Sequence, residues 1–134
     1  MPYSFDFPIE HRYPSQEPGI SVAVFLSYGG KTEKISAKFD PGADFCVFTH
    51  DVALLLGIPL ETGLKKTFDT SGGLVDTYGH EITFTSFGHE HTAFVYFAAT
   101  PGHRRNLLGR QGWIRNFGIA LFDDESVMYL RPIS

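Results

Sequence analysis

A single cysteine, Cys46, in a chain of 134 residues excludes an internal disulfide framework and fits a reducing compartment, so a cytoplasmic protein is expected. Cys46 stands in the apolar run from Phe45 to Phe48 and reads as a buried structural thiol, not a nucleophile. Basic residues are also few. Eleven Lys and Arg face fifteen Asp and Glu, giving a formal net charge of -4 and a pI of about 5.8. That balance offers no electrostatic footprint for nucleic acid or for an anionic membrane. No stretch approaches the roughly 18 apolar residues of a membrane span. Residues 1–14 lack a basic start followed by an apolar core, so no secretory leader is expected. The serine-hydrolase elbow, the phosphate-binding glycine loop, His-Glu-x-x-His and paired-cysteine spacings are all missing. His89 and His91, with His80 and Glu81 before them, read as exposed strand histidines near a turn. No metal or cofactor is expected.

What the chain does have is apolar and aromatic bulk: 43% hydrophobic and 15% aromatic residues, including 13 Phe, enough for one globular domain. Residues 1–19 hold Pro2, Pro8, Pro14 and Pro18 and predict an extended arm that packs through Tyr3, Phe5, Phe7 and Tyr13. Residues 20–134 form the domain. Ile20, Val22, Val24, Leu26 and Tyr28 alternate on one face of a strand, Gly29-Gly30 turns it, and Ile35, Ala37 and Phe39 return on the same side. Thr49 can cap a helix from Asp51 that stops at Gly57. Strands over 64–70 and 75–86 flank Ser71-Gly72-Gly73, and a turn at Phe87-Gly88 leads to another strand. A short helix over 111–116, with Trp113 and Phe117 facing the core, precedes two last strands over 118–122 and 127–130. Asp76-Thr77-Tyr78-Gly79 reads as the start of a strand. Many short strands with frequent turns predict an all-β, closed or sandwiched fold with one or two helical turns.

The segment with chemical promise is Ala37-Lys38-Phe39-Asp40-Pro41-Gly42-Ala43-Asp44, in which an apolar strand delivers a carboxylate onto a tight turn. Alone, Asp-x-Gly has an ordinary turn reading. Joined to Ser71-Gly72-Gly73 and to Asn106-Leu107-Leu108-Gly109-Arg110, in that order, it resembles the retropepsin-like aspartic proteases, and bacterial single-domain members in particular. The resemblance covers roughly residues 20–131. It implies a homodimeric closed β fold with a flap hairpin and no cofactor, acting on a peptide or protein substrate. It implies that Asp40 is catalytic, with one copy from each subunit. Gly42, Ala43 and Asp44 would line the substrate floor, and Ser71, Gly72 and Gly73 would close over it. Arg110 would brace the site, through an ion pair with Asp44.

Position 41 departs from the family, which has Thr there. Pro41 has neither the hydroxyl nor the amide hydrogen with which that Thr grips the twin subunit. The alternative reading is therefore a weak or inactive relative that binds peptides by strand addition without cutting them. Gln111 is a second, minor departure.

Overall fold

The alternation of Val22, Val24 and Leu26 ends in three side chains wholly removed from solvent, and the fold is built outward from that stripe. A computed structural model describes residues 2–133. In chain order the elements are β1 (Ile9–Arg12), β2 (Ser21–Tyr28), β3 (Lys31–Phe39), β4 (Val47–Phe48), α1 (His50–Leu56), β5 (Leu64–Thr70), β6 (Gly73–Ser86), β7 (His89–Ala98), β8 (Leu107–Leu108), β9 (Phe117–Phe122) and β10 (Val127–Pro132). Single 3-10 turns lie at Leu60–Thr62, Ile114–Asn116 and Asp123–Glu125.

Six strands close into a ring. β2 pairs with β3, β3 with β8, β8 with β4, β4 with β7, β7 with β6, and β6 returns to β2 through Phe25–Ser27. β5 hangs from the first half of β6 alone. Closure gives each of the six strands a partner on both sides over part of its length, β3 meeting β8 only at Lys38 and Phe39. The two-residue turn at Gly29-Gly30 takes φ of 55° and 85°, the left-handed pair a tight hairpin needs. The helix follows its sequence signals. Thr49 accepts from the Val52 amide, Gly57 closes the end at φ 68°, and Val52, Ala53 and Leu56 are buried.

A second sheet, ordered β1-β10-β9, is antiparallel throughout. The proline-rich arm thus contributes a strand, β1, to this chain's own β10. Tyr13 anchors its end: the ring is buried and its hydroxyl donates to Asp123 Oδ1 at 2.6 Å.

Two local expectations are corrected. The short helix over 111–116 is only a 3-10 turn, because Gly112 sits at φ 106° and breaks any helical run before Trp113. Trp113 and Phe117 nevertheless face the core as expected, their rings 4.7 Å apart, with the indole N–H donating to Ser86 Oγ at 2.9 Å. The histidines are not simply exposed. His89 is, but His80 is buried and donates through Nε2 to the Leu60 carbonyl, and half-buried His91 donates to the Gly112 carbonyl, both at 2.8 Å.

His91 also stacks on Phe84, with centroids 4.9 Å apart. Burial lowers its pKa below the ordinary 6.5, against the opposing pull of the Gly112 carbonyl. The folded state therefore disfavours the imidazolium. Its contribution to stability is complete above the ordinary histidine value and declines as the pH falls from there through the lowered folded value. The urea midpoint should drop between about pH 7 and pH 5, and the drop should be shallower in His91→Phe. Parallel pH profiles for the two proteins would show that His91 is not the group responsible.

Candidate active site

β3 carries Ile35 and Ala37 into the core and ends by delivering Asp40 onto the turn that follows. Three hydrogen bonds fix this residue, two through its backbone and one through its carboxylate. The Asp40 amide donates to the Leu108 carbonyl at 3.0 Å, and the Ala43 amide returns to the Asp40 carbonyl at 3.1 Å. The Gly42 amide donates to Asp40 Oδ1 at 3.0 Å, which pins one oxygen of the half-buried side chain. A Cβ on Gly42 would stand 3.2 Å from that same oxygen, so glycine lets the backbone reach the carboxylate. Pro41 is exposed at the apex of the turn.

The segment after β8 runs beneath this turn. Arg110 and Gln111 donate their amides to the carbonyls of Ala43 and Asp44, at 2.9 and 2.8 Å. Gly109 makes the approach possible: a Cβ there would lie 2.8 Å from the Ala43 oxygen and closer still to the backbone of Phe45. Asn106 adds a tie on the other flank, its side-chain oxygen accepting from the Thr49 amide at 3.0 Å. The expected Asp44–Arg110 ion pair is not formed. Among the described residues the one ion pair is Arg12–Glu10, and both Asp44 and Arg110 are exposed. The two segments are locked main chain to main chain, which needs no charged side chain. Cys46 is fully buried beside them and its thiol pKa is pushed up to about 12 by burial, so it is inert packing.

β5 and β6 form a hairpin whose tip is Ser71-Gly72. Thr70 shapes the tip, its hydroxyl donating to the Gly73 carbonyl at 2.7 Å, and Gly73 adopts φ 111°. The base of the hairpin rests on the residue after Asp44. Lys66 Nζ lies 4.1 Å from the centre of the Phe45 ring, which also packs edge-on against Phe68 and Tyr96.

Between the hairpin tip and the Asp40 turn lies a cleft of about 840 Å³. It brings together Asp40, Gly42 and Ala43 with Ser71 and Gly72. Gly73, Asp44, Pro41 and Arg110 lie outside its lining. Sequence reasoning missed the third wall, the loop from Ala99 to Arg105, from which His103, Arg104 and Arg105 line the cleft. The adjacent arginines just before Leu107-Leu108 are the signal that marks it.

Among the described residues no three His, Cys, Asp or Glu side chains gather as a metal site. No helix is long and apolar enough to cross a membrane.

A family model described as aspartyl protease matches residues 24–111, from β2 through the segment beneath Asp40. No curated protein matches the chain. Among solved structures, the EIAV protease complexed with the inhibitor HBY-793 is similar at a TM-score of 0.55 and 22% identity. The match covers 73% of this chain and 88% of that one, and it carries the likeness of fold.

Proposed function

The chain belongs to the aspartyl protease family, with a retropepsin-like all-β fold, and from that premise we propose that it is an aspartic endopeptidase working as a homodimer. One observation carries the reading. Asp40 is held by its backbone and by one oxygen on a rigid turn, and opens onto a cleft roofed by a small-residue hairpin. A cleft of this shape suits an extended peptide, and the hairpin serves as its flap.

Peptide hydrolysis by carboxylates needs two of them, close enough that only one ionises; like charges at hydrogen-bond distance push their pKa values apart, as in aspartic proteases generally. The charged partner then takes a proton from water as it attacks the carbonyl carbon, and the protonated one donates to the developing oxyanion. The chain holds one Asp-x-Gly of this kind, so the second Asp40 comes from a twin across a two-fold axis. The exposure of Pro41 at the apex of the turn supports an axis passing there. β9, an edge of its sheet with Leu121 and Phe122 about half exposed, supports a further contact surface for the twin. Gly42 and Ala43 form the floor, and Ser71, Gly72 and Gly73 close from above. Asp44 offers its exposed carboxylate to the substrate main chain, while Arg110 supports the floor through its backbone.

Pro41 favours a second reading, a peptide-binding module with little or no cleavage. It removes one amide hydrogen and one hydroxyl per subunit from the axis, each worth about 0.5–1.5 kcal/mol when paired. Pro41→Thr should therefore tighten the dimer about tenfold or more in sedimentation velocity and raise cleavage of an unstructured protein between about pH 4 and pH 7. Unchanged self-association would remove position 41 from the interface. If both forms dimerise and neither cleaves, the module reading prevails.

A further inference from the structure

Resting on the protease reading, we infer that the cleft selects peptides bearing carboxylate side chains on either side of the bond held at Asp40. The basis is the charge of the wall that faces the flap tip. The loop between β7 and β8 carries His103, Arg104 and Arg105 into the lining of the same cleft as Asp40. Arg104 and Arg105 are exposed, and neither guanidinium has an ion-pair partner among the described residues. The chain as a whole is acidic, at -4, so two adjacent unpaired arginines on this wall are not a sample of a generally basic surface.

His103 adds an independent sign. Its Nε2 is screened from solvent yet has no hydrogen-bond partner. A buried polar nitrogen left unpaired costs free energy unless something outside the folded chain completes it. Opposing charge within the cleft is limited to two residues, Asp40 and Asp76. Asp76 Oδ1 already accepts from the Thr67 hydroxyl at 2.7 Å, and the flap residues Thr70, Ser71, Gly72, Leu74 and Val75 are neutral. An entering carboxylate therefore meets guanidinium forks whose planar donors match its two oxygens. His103 supplies a further donor when Nε2 carries the proton. A substrate Lys or Arg in the same place meets like charge, which makes the wall a filter as well as an anchor. In the homodimer the loop occurs twice about the axis, so the preference holds on both sides of the scissile bond.

The test uses two peptides identical except for Glu or Gln at the positions flanking the central bond. Their binding to the full-length Asp40→Asn protein is read by fluorescence anisotropy, and their cleavage by the unaltered protein is followed in parallel. The Glu peptide should bind about tenfold more tightly at low ionic strength, with the ratio shrinking as salt is raised. The double variant Arg104→Gln/Arg105→Gln should bring the ratio close to one. Equal affinities, or a ratio that survives the double variant, overturn the inference. Cleavage of both peptides at equal efficiency also overturns it and leaves the protease reading standing. A Glu preference in binding with no cleavage of either peptide supports the inference and sinks the protease reading. Binding of neither peptide overturns the inference.

Discussion

Asp40→Asn is expected to lower kcat/KM for peptide hydrolysis by about 10³-fold, the largest functional effect of any single change in the chain. In a homodimer one substitution alters both halves of the dyad. Neither side chain can then take the proton from the attacking water, nor hold the one needed by the oxyanion. The fold should be indifferent. An asparagine side-chain oxygen can still accept from the Gly42 amide, as Asp40 Oδ1 does at 3.0 Å, so the turn keeps its shape. Thermal unfolding should coincide for the two proteins while the rates separate. A variant that keeps more than a tenth of the activity would take Asp40 out of the chemistry, and one that melts earlier would assign it a structural part instead.

Gly109→Ala should produce the largest loss of stability for the smallest change, about 3 kcal/mol. The added methyl would meet main-chain atoms of Ala43 and Phe45, not the ends of flexible side chains. Backbone cannot swing aside as a rotamer can, so the 108–111 segment must part from the 43–45 segment. The amide bonds from Arg110 to Ala43 and from Gln111 to Asp44 would stretch or break. Asp40 would move with them, because its own amide is tied to Leu108. A displacement of about 1 Å there can cost ~100-fold in rate, so urea midpoint and activity should fall together. Gly72→Ala is the control for stability alone. A Cβ on Gly72 would meet nothing closer than Thr70 Oγ1 at 3.9 Å. If Gly109→Ala is as stable as the parent, the close approach of the two segments is not what secures the site.

Much of this is legible in the sequence alone. The β2–β3 hairpin, α1 with its caps and the hairpin ending at Ser71-Gly72 all declare themselves through alternation, capping residues and turn glycines, which act within a few positions of one another. Asp40, Gly42, Ala43, Ser71 and Gly72 line one cleft, an arrangement that the family resemblance implies and no local pattern dictates. The short helix fails on a local feature, since Gly112 inside it takes a positive φ. Other failures are of long-range geometry: nothing local to residues 9–12 reveals a partner more than a hundred positions away in β10. The Asp44–Arg110 pair is what the family resemblance implies, whereas two amide-to-carbonyl bonds already join those segments and leave both side chains free. The Ala99–Arg105 wall has only its adjacent arginines as a local signal; its place in the cleft follows from where β7 stops and β8 begins.

β6 belongs to two structures at once. Its second half closes the six-strand ring through β2, while its first half carries β5, which pairs with no other strand and meets β7 only through side chains such as Phe68 on Tyr96. The molecule therefore has two tiers of stability. Amides in β2, β6 beyond Tyr78, and β7 exchange their hydrogens only when the ring itself opens. Those of β5 are released by local detachment of one strand. Traffic into the cleft can thus be fast while the ring holds, and a substitution that loosens Lys66 from Phe45 would quicken exchange at the hairpin without altering the temperature at which the ring unfolds.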